Sequence, residues 1–303
     1  WNKNFVKSMA SAKTPASLKI FSTEKAAGYK IAGHPEHPMR VLKTLEHLKK
    51  WLPASSFEEP QAASLESVQR VHGADLIQAV SREVFLDPDT PGAPGIFACS
   101  LLSAGAATQA ARESLGGASV FSLMRPPGHH ATPGQGMGFC YFNSMAIAIQ
   151  DLVHSGLARK IAVLDLDCHH GNGTEAFCFG KNEFLYVSLH QSPAYPGTGL
   201  KSSGNCLNYP LSPGTRAVDY FTVLEKAMAK VRDFKPDLIG LSMGFDTYEK
   251  DPLTQFGLKK EDYESLGKKM KELDLPQFAL LEGGYHSDLP ELVELFLTGW
   301  EKA

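Results

Sequence analysis

The sequence predicts an α/β protein whose sheet is parallel and covered by helices on both faces. Two observations carry this. Short β-branched or apolar runs alternate with segments of helical periodicity, the pattern of repeated strand–helix units. Each run is followed at once by a polar or glycine-rich cluster, as where the strands of a parallel sheet open onto a ligand-binding rim. With 303 residues, 43% of them hydrophobic and 21% charged, the chain has room for one large domain or two ordinary ones.

The elements follow in order. Residues 1–17 are polar and rich in Ser, Ala and Lys, and read as a loose lead-in to a single domain over 18–303. Leu18-Lys19-Ile20-Phe21 reads as the first strand. Over 38–52, Val41, Leu42, Leu45 and Leu48 keep helical spacing, and Pro38 suits a first-turn position. Further helices are expected at 64–70, 73–84, 97–115, 143–155, 219–234, 260–273 and 288–301. Strands are expected at 119–124, 160–167, 184–190, 238–245 and 278–281. The clusters behind these strands are Arg125-Pro126-Pro127-Gly128-His129-His130, the Asp/His segment starting at Asp165, His190-Gln191-Ser192-Pro193, Asp246-Thr247 and Glu282-Gly283-Gly284-Tyr285. Though far apart in sequence, they should meet on one rim.

Composition narrows the function classes. A formal charge of −3 gives no electrostatic reason to expect nucleic acid or an anionic membrane as partner. No apolar stretch approaches the roughly 18 to 20 residues of a membrane span. The opening Trp1-Asn2-Lys3-Asn4 carries no signal-peptide core and no starting Met, and a cytoplasmic protein is expected. Cys99, Cys140, Cys168, Cys178 and Cys206 form an odd set without Cys-x-x-Cys spacing, which argues for reduced thiols and against a disulfide framework or zinc ribbon. The oligomeric state is not legible.

The chemistry concentrates in Leu164-Asp165-Leu166-Asp167-Cys168-His169-His170-Gly171-Asn172-Gly173. Strand alternation would put Asp165, Asp167 and His169 on one side, with Leu166 and Cys168 on the other. Carboxylates converging on an apolar sheet end repel each other and lose hydration, so a cation between them is the economical answer. Asp167 and His169, joined by Asp246 from another strand end, supply three ligands and leave a position open, the pattern of a catalytic divalent metal completed by water. The donor set admits Zn²⁺, Fe²⁺ or Mn²⁺. On the same rim, the tandem His129-His130 could take a proton from that water as neutral imidazole and return it to a leaving amine as imidazolium. Each ring needs an orienting partner, for which Asp165 and Asn172 are nearby candidates. Tyr285, aimed by two preceding glycines, could donate to a carbonyl oxygen as charge develops there.

These residues resemble the histone deacetylase superfamily. The matching stretches are 125–130, Gly138-Phe-Cys-Tyr-Phe-Asn143, 164–174, Ser188-Leu-His190 with Tyr195-Pro-Gly-Thr-Gly199, Gly244-Phe-Asp246 and 282–285, in the family's order over most of the chain. The resemblance implies the arginase-deacetylase fold, an eight-stranded parallel sheet wrapped by helices. It implies that Asp167, His169 and Asp246 hold zinc, with Fe²⁺ also possible. His129 and His130 resemble the tandem histidines, His130 being the general base and acid, with Asp165 and Asn172 as their respective partners. Asn172 is similar to the class II branch, where class I members have Asp. Tyr285 resembles the catalytic tyrosine, which several poorly active class II members replace by His.

The resemblance further implies an acyl-lysine tunnel lined by Gly138, Phe139, Tyr195 and Leu253. It implies a structural K⁺ on Asp165 and the backbone carbonyls of Asp167, His169, Ser188 and Leu189. Arg40 resembles an arginine of the acetate exit channel. The expected activity is metal-dependent hydrolysis of acetyl or other short acyl groups from acyl-lysine or similar amines. The alternative is an acetylpolyamine amidohydrolase. In polyamine-selective class II members an acidic gatekeeper follows the Asp-Pro of this loop, and Leu253 stands there instead, although Asp87, Asp89 and Glu249 could serve a cationic ligand at the rim. A catalytically silent acyl binder is disfavoured by the complete proton-transfer set. A binuclear manganese hydrolase is disfavoured because no second ligand cluster is apparent.

Overall fold

The structure is a computed structural model that describes residues 18–301; the lead-in read over 1–17 lies outside the described residues. Its strands are β1 (Leu18–Phe21), β2 (Phe57–Glu58), β3 (Ser119–Ser122), β4 (Ile161–Asp165), β5 (Phe184–Gln191), β6 (Cys206–Leu211), β7 (Leu238–Met243) and β8 (Gln277–Leu281). Its helices are α1 (Met39–Trp51), α2 (Leu65–Gln69), α3 (Ala74–Ser81), α4 (Ile96–Ser114), α5 (Ser144–His154), α6 (Asn172–Cys178), α7 (Ala217–Phe234), α8 (Lys260–Lys271) and α9 (Leu289–Glu301).

All eight strands form one sheet in the order β2-β1-β3-β8-β7-β4-β5-β6, and every neighbouring pair is parallel. Every residue of β4, β5, β7 and β8 is buried. Successive side chains of a strand point to opposite faces, so both faces of the sheet are covered, which is why these strands read as continuous apolar runs. The last strand in sequence, β8, lies between β3 and β7 in the middle of the sheet.

The structure bears out the eight-stranded parallel sheet and places each expected strand and helix within a few residues of its position. Three elements carried no readable signal. Strand β2 is two residues long. Strand β6 is only partly buried and contains Pro210, which an edge strand tolerates because no further strand needs its missing N–H. Helix α6 starts inside the glycine-rich end of the Asp/His segment.

The expected strand over 160–167 stops at Asp165, and the alternation expected beyond it gives way to turns. The Asp167 N–H donates to Asp165 Oδ1 at 3.3 Å, and the His169 N–H to Asp167 Oδ1 at 2.9 Å. Two successive aspartates thus capture backbone groups two residues on and replace the ladder. No helix among the described residues is long and apolar enough to cross a membrane.

Candidate active site

The carboxyl ends of β3, β8, β7 and β4, neighbours in the sheet, deliver His129 and His130, Tyr285, Asp246, and Asp167 with His169 to one place. One ligand atom from each of Asp167, His169 and Asp246 lies within 4.8 Å of the others. His169 Nδ1 is 3.1 Å from Asp167 Oδ1 and 2.9 Å from Asp246 Oδ2. The remaining carboxylate oxygens are held by backbone donors: Gly283 N–H to Asp167 Oδ2 at 2.7 Å, and Cys168 N–H to Asp246 Oδ1 at 2.9 Å.

Asp246 Oδ2 is buried and has no partner in hydrogen-bond geometry; His169 Nδ1, 2.9 Å away, lies beside it as a second ligand atom would. A buried carboxylate oxygen without a donor is costly unless a cation meets it. Gly283 keeps this space open, since a Cβ there would stand 2.6 Å from both Asp167 Oδ2 and Asp246 Oδ2. Two carboxylates and one imidazole with an unmet oxygen fit a divalent transition metal.

Burial and the nearby Asp167 push the Asp246 carboxyl up to about 7. Burial also resists the Asp167 charge, but His129 and His169 hold that carboxyl well below its ordinary range. His169 is opposed by burial, yet the two carboxylates beside it carry it well above the usual imidazole range.

The tandem histidines are nearly fully buried. His129 Nδ1 lies 3.2 Å from Asp165 Oδ2, and His130 Nδ1 lies 2.8 Å from Asn172 Oδ1. Each imidazole therefore meets the partner expected of it. Burial works against a charge on His129, but Asp167 and Asp165 outweigh it and lift the group to about 10. His130 is driven well below the ordinary value, by burial first and then by the neighbouring imidazoles of His129 and His169. With Nδ1 committed to Asn172, Nε2 is the atom His130 has left for the pocket.

A cavity of about 200 Å³ is lined by Asp89, Pro127, His129, His130, Gly138, Phe139, His169, Tyr195, Leu253 and Tyr285. Gly138 and Phe139 both have positive φ, +55° and +70°, and Met137 and Cys140 exchange two hydrogen bonds of 3.0 Å across them. This is a tight turn of the type that demands left-handed backbone at both central residues. A Cβ on Gly138 would reach to 2.6 Å from the His130 ring and 2.8 Å from Tyr195, closing the cavity. The Phe139 N–H, donated to Thr90 Oγ1 at 3.0 Å, helps hold the strained residue. Phe139 meets Tyr285 edge-on at 5.7 Å, and Tyr195 meets His130 edge-on at 5.1 Å. Leu253 and Tyr195 are partly exposed at the mouth.

Sequence reasoning missed several buried groups that brace this site. Glu282 receives the N–H groups of Gly128 and His129 at 2.7 and 3.2 Å and the Ser242 hydroxyl at 3.1 Å. Asp251 receives the N–H of Tyr285 at 2.7 Å and that of Leu253 at 2.9 Å. The Tyr186 hydroxyl donates to Asp165 Oδ2 at 3.0 Å. His170, which had no readable role, lies between Thr198 Oγ1 at 2.7 Å and Glu175 Oε2 at 2.8 Å, and so ties the loop of Tyr195 to α6. Arg40 is buried, gives Nε to the Gly284 carbonyl at 2.7 Å and Nη2 to that of Glu282 at 2.6 Å, and has its guanidinium 4.7 Å over the Tyr285 ring. Of these, the sequence singles out Arg40 as an exit-channel residue and shows His170, Glu282 and Asp251 only as members of motifs.

Comparison with known proteins points the same way. The model of the family described as histone deacetylase domain matches residues 34–299. The chain is 37% identical over 292 residues to a probable deacetylase of Archaeoglobus fulgidus, covering 88% of this chain and 80% of the relative. It is 33% identical over 269 residues to an acetylpolyamine amidohydrolase of Burkholderia pseudomallei, covering 84% and 77%. Among solved structures, the HD domain of HDA15 superposes with a TM-score of 0.87 at 26% identity, covering 93% of this chain and 88% of that one. The Burkholderia pseudomallei acetylpolyamine aminohydrolase gives 0.84 at 27% identity, covering 94% and 98%.

Proposed function

This chain belongs to the histone deacetylase family, and on that premise we propose that it is a hydrolase of N-acetyl and short N-acyl amines, acyl-lysine side chains foremost. The observation that carries the reading is the unmet Asp246 oxygen beside Asp167 and His169, opening onto the same cavity as His130 and Tyr285. Asp167, His169 and Asp246 would hold Zn²⁺, and the same donors accept Fe²⁺. When bound, such an ion supplies Lewis acidity toward the acyl carbonyl and toward water.

The chain's own residues do the rest. His130, kept neutral, accepts a proton on Nε2 from the attacking water while Asn172 holds Nδ1, and later gives that proton to the departing amine. Asp167 and Asp165 beside His129 outweigh burial and favour its charged form, which leaves the role of base to its neighbour. The Tyr285 hydroxyl, whose pKa burial raises well above the ordinary value, keeps its proton and donates to the carbonyl oxygen as charge develops. Gly138, Phe139, Tyr195 and Leu253 line the passage for the acyl chain and exclude water from it. In this reading Asp165 and the carbonyls of Asp167, His169, Ser188 and Leu189 hold a structural K⁺, Arg40 borders the route by which acetate leaves, residues 18–303 make one catalytic domain, and the enzyme works in the cytoplasm.

A second reading, hydrolysis of acetylated polyamines, is favoured by Asp89 in the cavity lining, where a carboxylate can meet a second ammonium group. The test is to strip the protein with a chelator, reload it with Zn²⁺ or Fe²⁺, and compare kcat/KM for an acetyl-lysine peptide and an acetylated diamine. Activity that follows the metal and favours the peptide is expected. A tenfold preference for the diamine selects the second reading, and activity indifferent to chelation overturns both.

A further inference from the structure

One buried carboxylate joins the two halves of the proposed catalytic set. Glu36, in the loop before α1, is 1% exposed. Its Oε1 accepts from Arg125 Nε at 2.8 Å and from Arg40 Nη1 at 3.3 Å. Its Oε2 accepts from Arg125 Nη2 at 2.6 Å and from the Tyr29 hydroxyl at 2.5 Å. Two guanidiniums held by one carboxylate in the interior make a strong ionic hub, since the alternative is uncompensated buried charge.

Each guanidinium leads to a different catalytic group. Arg125 is fully buried, gives Nη1 to the carbonyls of Ala26 and Tyr29 at 3.0 and 2.9 Å, and opens the Arg125-Pro126-Pro127-Gly128 lead into His129 and His130. Arg40 grips the carbonyls of Glu282 and Gly284 and faces the Tyr285 ring. Nothing else among the described hydrogen bonds and ion pairs links the Arg125 and Arg40 side chains through a single group.

We propose that Glu36 is a positioning residue that sets the Tyr285 hydroxyl against the His130 imidazole, through Arg40 on one side and Arg125 on the other. The proposal rests on the reading of Tyr285 and His130 given above. Glu36 touches no substrate; it fixes the spacing between two groups that must act on the same acyl carbon. Its removal lowers kcat more than it raises KM, because the tunnel walls hang on other partners, Thr90 for Phe139 and His170 for the loop of Tyr195.

The test is a double-mutant cycle on the metal-loaded enzyme with an acetyl-lysine peptide, following kcat, KM and bound metal. Tyr285→Phe alone should lower kcat by about 10²-fold or more. Glu36→Gln should lower kcat at least about tenfold with KM within about twofold, and in the Tyr285→Phe background it should cost less than about threefold. An equal fold-loss in both backgrounds overturns the proposal, because Glu36 would then support the fold and not the hydroxyl. Wild-type kcat in Glu36→Gln overturns it too. A near-normal Tyr285→Phe enzyme overturns the reading of the tyrosine and the proposal with it, so the two failures appear in different variants. Arg125→Lys keeps the charge but gives up the two-point grip on Glu36, and it enters the same cycle with the same expectations if Glu36→Gln does not fold.

Discussion

His129 and His130 are consecutive in sequence and their rings lie 4.0 Å apart, yet their surroundings push their pKa values in opposite directions. The first faces Asp165 and Asp167, which outweigh burial and lift it to about 10; the second, buried against an amide and the imidazoles of His129 and His169, is driven well down. Neighbouring titratable groups pushed apart in this way divide the work of acid and base.

Burial keeps His130 neutral, and Asn172 is the uncharged partner that holds its Nδ1. Asn172→Asp places a carboxylate against Nδ1 and favours imidazolium, which raises the pKa of His130. The base must be neutral to act, so the acid limb of the kcat/KM profile should move to higher pH by about one unit or more. An unmoved limb assigns the base elsewhere.

Tyr285→Phe removes a hydroxyl and little else, since the backbone of that residue is held by Asp251. Turnover should fall about 10²- to 10³-fold while metal content stays at one ion per chain. Metal content is read by elemental analysis alongside the rates.

Gly283 backs onto both metal carboxylates. In Gly283→Ala the new methyl would lie 2.6 Å from Asp167 Oδ2 and Asp246 Oδ2, so one carboxylate must swing away. Metal affinity should drop by about tenfold or more, on the order of what a displaced supporting group costs. Competition with a chromogenic chelator measures it, and unchanged affinity would place the ion elsewhere.

His170 ties the Tyr195 loop to Glu175, which also holds Asn208 Nδ2 at 2.7 Å. In His170→Ala the wall of the tunnel loosens. KM should rise on the order of tenfold, the worth of about one charge-assisted hydrogen bond, with kcat within about threefold. A loss confined to kcat would argue against a wall-holding role.

His72 provides a test of stability. It is buried, with Nδ1 3.1 Å from the Thr132 carbonyl and Nε2 accepting the Asn143 N–H at 2.9 Å, an arrangement that requires the neutral ring. Burial lowers it from 6.5 to about 4. A group depressed in the folded state contributes stability that is full above its unfolded pKa and is lost as pH falls through the folded one. His72 should therefore cost the protein up to roughly 3 kcal/mol between pH 6.5 and 4. Urea unfolding across that window checks it, and His72→Gln should flatten the slope.

The metal ligands were legible because their chemistry is local: carboxylates and imidazoles crowded at the end of an apolar run have little use there besides holding a cation. Tyr285 was legible for a similar reason, following two glycines behind a strand. Glu36 was not, because its meaning lies in Arg125, 89 positions away, and a lone Glu before a helix has no pattern of its own. Glu282 was visible only as part of a motif; its partners are backbone N–H groups, which any sequence supplies. Strand β6 was illegible because an edge strand need not be apolar on both faces, and α6 because its first turn shares residues with the Asp/His segment.

The position of β8 also governs how the molecule can be made. It is made after both β3 and β7, yet it must enter between them, and Gly283 and Tyr285 follow directly behind it. Until residues 277–285 emerge, β3 and β7 have no neighbour between them and the edges of two buried strands stand open to water. Contacts this distant in sequence close slowly and leave sticky edges exposed in the meantime. A chain cut before residue 277 leaves the facing edges of β3 and β7 unpaired, so it should aggregate in place of folding as a smaller enzyme.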